Sequence, residues 1–140
     1  MKKILLALLL LALAIPGMAN AAATTGVVTL LNAQAISAGD TYTSSTVNLT
    51  NAEGLISWYI ELTGDGTASF VYQTSNDGVS FAEPEGVTAV VSGFTKTSGG
   101  SANGKAMEQI SVEFARYMRV LVTETGGAEA IAVTLKMAVR

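Results

Sequence analysis

Cysteine and histidine are both missing from the 140 residues, and only 14% of the chain is charged. Without cysteine there is no disulfide framework, no thiolate nucleophile and no thiolate metal site. The lipoprotein route, which needs a thiol at the processed amino terminus, is closed as well. Without histidine, the commonest general base and the commonest transition-metal ligand are lost together. Tryptophan occurs once and proline twice.

Basic residues are scarce and have no focus. Apart from Lys2 and Lys3 they are Lys96, Lys105, Arg116, Arg119, Lys136 and Arg140, set against 11 acidic side chains. Nucleic-acid recognition needs a basic stripe that neutralises phosphates, so a nucleic-acid partner is not expected.

What the chain does have begins at its amino terminus. Lys2 and Lys3 precede an apolar run from Ile4 to Ile15, Pro16-Gly17 breaks it, and Ala19-Asn20-Ala21 offers small residues for cleavage. This order is that of a secretory signal peptide. The apolar run is too short for a bilayer core, which takes about 20 residues, so no membrane span is expected after processing. Cleavage is expected after Ala21, with the bonds after Ala22 and Ala23 as alternatives. The division is therefore a signal helix at 1-21 and one domain at 22-140, secreted or held in the cell envelope. A domain of about 120 residues lies in the ordinary single-domain range and can fold without disulfides.

Beyond the signal, short alternating runs rich in threonine and valine are separated by glycine, asparagine and aspartate, the pattern of antiparallel β structure. From Leu55 to Leu62, Ile56, Trp58, Ile60 and Leu62 share one face, while Ser57, Tyr59 and Glu61 share the other. Trp58 is thereby assigned to the core. Gly64-Asp65-Gly66 follows, then Thr67 to Thr74, and residues 55–74 are read as a hairpin. Further strands are expected at Gly26–Leu31, Thr46–Thr50, Val87–Val91, Phe94–Thr97, Arg116–Thr125 and Ile131–Val139. Lys105 to Phe114 fits two periods: Met107, Ile110, Phe114 and Tyr117 as a helical stripe, or Ile110, Val112 and Phe114 as strict alternation. Strand is the favoured assignment. The fold class is all-β, an antiparallel β-sandwich or jelly roll of about eight strands preceded by the signal helix.

Two segments carry a resemblance. Residues 57–81 place Trp58 on one strand and end the next in Ser75-Asn76-Asp77-Gly78 with Phe81 beyond, and residues 115–123 place Arg116-Tyr117 before alternating apolar residues. This resembles the discoidin-like, or galactose-binding-like, jelly roll, as in uncharacterised bacterial surface and phage-associated proteins. The resemblance implies an extracellular binding or structural module whose ligand contacts come from loops, and it leaves the ligand open.

Candidate chemistry is thin. Glu83 and Glu85 flank Pro84 and are spaced for a carboxylate pair of the kind glycosidases use, but acidic loop residues are mostly just solvated. Asp65 and Asp77 sit in glycine turns without the D-x-D-x-D-G pattern of a calcium loop; aspartate there usually hydrogen-bonds its own turn. Asn48-Leu49-Thr50 matches a glycosylation sequon inside a strand. Ser98 to Gly104, SGGSANG, lacks phosphate-loop spacing and reads as an exposed loop. No catalytic residue, metal site or cofactor is expected.

The candidate ligand-binding residues are Tyr59, on the face opposite Trp58, and Tyr42, in the loop from Asp40 to Ser45. Both would act by stacking against a sugar, with Tyr72 and Phe81 unassigned. Two functions follow from these features. The first is a structural or adhesive surface protein, a homo-oligomer joined by strand addition through Ala23–Leu31. The second is a carbohydrate-binding module, whose partner is a glycan. An ordinary first strand of the same domain accounts for Ala23–Leu31 equally well.

Overall fold

The structure is a computed structural model that describes residues 26–139 apart from 51, 53, 54, 87, 88, 113 and 114. The expected signal helix and its cleavage site lie outside the described residues. Among those residues, no helix is long and apolar enough to cross a membrane.

The described residues form nine strands in two antiparallel sheets. The four-stranded sheet has the order β1 (Gly26–Ile36), β9 (Ile131–Val139), β4 (Leu55–Gly64), β7 (Lys105–Ser111). The five-stranded sheet has β2 (Thr41–Thr43), β8 (Tyr117–Glu124), β5 (Ala68–Ser75) and β6 (Val91–Phe94) in line, with β3 (Val47–Asn48) also on β8. β2 and β3 pair successive stretches of β8, Tyr42 opposite Val122 and Val47 opposite Met118. They are two halves of one interrupted edge strand. Ser44 makes the interruption: its N–H donates to the Val120 carbonyl at 2.8 Å, and its hydroxyl accepts the Val120 N–H at 2.9 Å in place of a backbone carbonyl. Counted this way there are eight strands, and their order is that of a jelly roll.

The connection between β4 and β5 is a correction to the sequence reading. They do not form a hairpin: β4 pairs with β7 and β9, while β5 pairs with β6 and β8 in the other sheet. Gly64 to Thr67 therefore carries the chain across the sandwich. Alternation followed by a glycine turn serves a hairpin and a crossing equally, because the choice depends on partners far away in sequence. The crossing is close-packed. A Cβ on Gly66 would lie 2.6 Å from the Glu129 carbonyl oxygen and 2.8 Å from Ile131 Cγ2, so only glycine fits without a shift.

Other boundaries move as well. Of the strand expected at 87–91, residues 87 and 88 lie outside the described residues and Val91 begins β6, which ends at Phe94; residues 95–98 form a turn in which the Ser98 hydroxyl accepts the Thr95 N–H at 2.9 Å. Lys105–Ser111 is strand, as favoured. Tyr42 lies in β2 rather than in a loop. β1 runs five residues past the expected end because it bulges: its register against β9 shifts between Thr29 and Leu31 and again before Gln34, and Ala33 has a φ of 46°. The first shift lets the consecutive residues Leu30 and Leu31 both face inward.

The core lies between the sheets. Ile56, Trp58, Ile60, Leu62, Val133, Leu135 and Met137 enter from the four-stranded sheet and meet Ala68, Phe70, Tyr72, Met118, Val120 and Val122 from the other. Phe94 closes one side, edge-on to Phe70 with ring centroids 6.2 Å apart. Trp58 is fully buried, as expected, and its Nε1–H has no hydrogen-bond partner among the described residues.

Candidate functional site

With one face of every long strand committed to the core, the opposite face of each sheet is left for contact. Register fixes what stands on the outer face of the four-stranded sheet. Leu55 faces Ser111. The next row runs Val27, Ala138, Ser57, Gln109, and the one after it Thr29, Lys136, Tyr59, Met107. Thr134, Glu61 and Lys105 make a fourth. Large apolar side chains are unusually bare here: Val27 is 69% exposed, Leu55 66% and Met107 65%.

Tyr59 stands at the centre of this face. Its hydroxyl donates to Glu61 Oε2 at 3.0 Å, two residues along the same strand, which fixes where the ring's far end sits. Lys105 Nζ pairs with the other oxygen of Glu61 at 3.2 Å. Lys136 places its ammonium 5.9 Å from the Tyr59 ring centroid, within cation–π range. The charges respond accordingly. The hydrogen bond to Glu61 raises the Tyr59 phenol pKa, and that same bond, followed by the Lys105 ammonium, lowers Glu61. Glu61 in turn raises Lys105. Further along β4, short of Tyr59, a groove of about 680 Å³ is lined by Leu55 to Ser57, Gln109 to Ser111 and Ala138. The surface thus brings an aromatic ring, hydroxyl and amide groups and an ion-paired carboxylate onto one sheet face.

Tyr42, the other candidate, is 38% exposed at the edge of the five-stranded sheet. It belongs to a different sheet from Tyr59, and the two do not form one site. Tyr72 is buried in the core. Phe81 lies under Arg119, whose guanidinium carbon is 4.2 Å from the ring centroid while its Nε donates to Gln73 Oε1 at 2.8 Å.

The residues that carry the family resemblance come together as scaffold. Asp77 Oδ1 accepts the N–H groups of Val79 and Ser80 at 2.8 and 2.7 Å and the Ser75 hydroxyl at 2.8 Å. These bonds, the Ser80 N–H first, hold its carboxyl well below the usual carboxylate range. Gly78 has a φ of 76°, and a Cβ there would touch the Tyr117 ring at 3.4 Å. Asp77 is thus occupied by its own turn, and Asp65 is paired with Lys96. Glu83 and Glu85 are exposed on either side of buried Pro84. Asn48 accepts from the N–H and hydroxyl of Thr50. In the loop from Ser98 to Gly104, the Ala102 N–H closes onto the Gly99 carbonyl and the Gly104 N–H onto that of Ser98.

One residue of consequence escaped the sequence reading. Glu124 is only 1% exposed, and it accepts the N–H groups of Gly39 (2.8 Å), Thr67 (3.1 Å), Gly126 (2.7 Å) and Gly127 (2.8 Å). These donors, Gly39 and Thr67 foremost, lower its pKa to about 2. At the end of an alternating strand, a glutamate that ties three turns together looks like any solvated charge.

No family model matches the chain, and no curated protein matches it. Similarity to solved structures is found. One is PliG of Aeromonas hydrophila, a periplasmic inhibitor of g-type lysozyme: 15% identity, 85% of this chain, 90% of that chain, TM-score 0.49. Another is the chitosan-binding module 1 of a chitosanase/glucanase from Paenibacillus sp. IK-5: 19% identity, 81% of this chain, 79% of that chain, TM-score 0.37. The VP2 subviral particle of infectious bursal disease virus has 13% identity over 81% of this chain, with a TM-score of 0.53, and the match takes in 31% of that longer chain. At such identity the VP2 match shows a shared β-sandwich fold and nothing further.

Proposed function

We propose that the protein is an exported, non-catalytic adhesive module that contacts its partner through the outer face of its four-stranded sheet. Export rests on the charged start, the short apolar run and the small-residue cleavage site of residues 1–21. A single observation carries the choice of face: Val27, Leu55 and Met107 stand exposed on the same outer sheet face as Tyr59, whose hydroxyl is held by Glu61. Exposed apolar groups that share one face with polar ones are a feature of contact surfaces. The occupant this geometry suits best is a glycan. A sugar lays its C–H face on an aromatic ring and needs a few oriented polar groups for its hydroxyls, and Tyr59 with Glu61 and Lys105 supplies both. The discoidin-like resemblance agrees with an extracellular binding module, although such modules bind through loops and here the sheet face is the candidate.

Self-assembly is the second reading, favoured by the same three apolar side chains. Strand donation is not its natural route, because Gly26–Ile36 is paired along β9 of its own chain; two copies would meet through the sheet face. Size-exclusion chromatography with light scattering, run beside a glycan array on the mature protein, separates the readings. A monomer that binds glycans supports the module. An oligomer that dissociates when Leu55 and Met107 become glutamate supports assembly, and a monomer that binds no glycan contradicts both.

A further inference from the structure

Charge on the outer face of the four-stranded sheet is unevenly spent. Glu61, its one carboxylate among the described residues, is held by the Tyr59 hydroxyl and by Lys105. Lys136 is exposed in the neighbouring strand and makes no ion pair among the described residues. Its ammonium lies over the Tyr59 ring, 5.9 Å from the centroid, and adds a smaller contribution to the field that lowers the Glu61 pKa. The other described acids stand elsewhere: Asp40, Asp65, Asp77, Glu83, Glu85 and Glu129 in turns, Glu108 at an inward register position opposite Trp58, and Glu124 buried. With Lys105 and Lys136 set against Glu61, the face carries a net charge of +1 beside Tyr59, on a protein whose formal net charge is −3.

We propose that this face binds glycans built from carboxylated sugars, with Lys136 taking the carboxylate. The inference rests on the glycan-binding reading and adds the ligand's class to it. A carboxylated pyranose laid on the Tyr59 ring brings its carboxylate within reach of Lys136, whose ammonium lies over that ring, and an ammonium–carboxylate hydrogen bond is roughly twice as strong as a neutral one. Its hydroxyls reach the Glu61–Lys105 pair, in which each partner keeps hydrogen-bonding capacity. The ligand is an oligosaccharide rather than a single sugar. Outward side chains along β4 are spaced by two residues, about 6.6 Å, and the face continues from Glu61 through Tyr59 and Ser57 to Leu55, over the groove edged by Gln109 and Ser111. A polyanion approaching a net-negative protein is repelled at long range, but at physiological salt that repulsion is screened beyond about 8 Å. The local charge of this face then decides.

The test uses three carboxylated oligosaccharides, oligogalacturonate, oligomannuronate and hyaluronan fragments, each beside its own methyl ester, in calorimetric titrations of the mature protein. The ester keeps the sugar and removes the charge. The expected result is that at least one free acid binds at least about tenfold more tightly than its ester, the loss that follows removal of one charge-assisted hydrogen bond. Lys136→Met should erase that preference, Lys136→Arg should restore it, and neither should move the melting temperature, since the side chain is exposed. Equal binding of acids and esters, or a preference that survives Lys136→Met, would overturn the proposal while leaving a neutral-glycan module standing. Binding of neither form, together with an empty glycan array, would remove the glycan reading along with it.

Discussion

The carboxylate of Glu124 accepts the backbone N–H of Gly39 at 2.8 Å, joining residues 85 positions apart. The same side chain takes N–H groups from the β4–β5 crossing at Thr67 and from the turn after β8 at Gly126 and Gly127, so one buried anion fixes three connections at one end of the sandwich. Only the ionised form accepts all four donors, which is why its pKa falls from 4.5 to about 2.

A pH dependence follows from that shift. A carboxyl whose folded pKa is depressed stabilises the fold fully above its unfolded value and loses that contribution as pH falls through the folded one. Thermal melts between pH 7 and pH 2 should therefore show stability declining below about pH 4.5. Glu124→Gln should lower the melting temperature by several degrees at pH 7 and flatten the acid decline, because the amide is neutral throughout and turns N–H donors toward N–H donors. An unchanged melting temperature in the variant would contradict the assigned role.

Trp58 gives a second prediction. Truncation to alanine leaves a large cavity between the sheets and should cost about 3–5 kcal/mol in urea unfolding. Trp58→Phe should cost distinctly less, since the indole N–H has no partner among the described residues to lose. Native fluorescence should be blue-shifted and move red on unfolding. A loss below about 1 kcal/mol for the alanine variant would place the ring outside the core.

These two residues show what the sequence makes legible. Trp58 is readable because burial imposes period two over Leu55–Leu62, a local pattern; the same pattern set Tyr59 and Glu61 on the opposite face. Glu124 and the crossing at Gly64–Thr67 are not readable, because both depend on which distant strand lies alongside. Lys105 and Lys136 reach Tyr59 only through the register of β7 and β9 on β4. Within the candidate site, then, the residues of one strand were visible and those brought in by pairing were not. Tyr42 shows the opposite failure: its exposure was read correctly, yet its sheet assigns it to another surface.

Export is tested by amino-terminal sequencing of protein recovered from the envelope or the medium. The mature chain should begin at Ala22, or within two residues after it, because the small-residue site ends there. A soluble cytoplasmic protein beginning at Met1 would contradict the assignment.

The most direct test of the contact face is an amide nuclear magnetic resonance titration of the mature protein with the tightest ligand from the glycan array. The largest shifts should fall on Ser57, Tyr59 and Glu61 of β4, Lys105 to Gln109 of β7 and Lys136 of β9, and Tyr59→Ala should abolish them without lowering the melting temperature. Shifts confined to Tyr42, to Phe81 and Arg119, or to the loops at the ends of the sandwich would contradict the account and move the binding surface elsewhere.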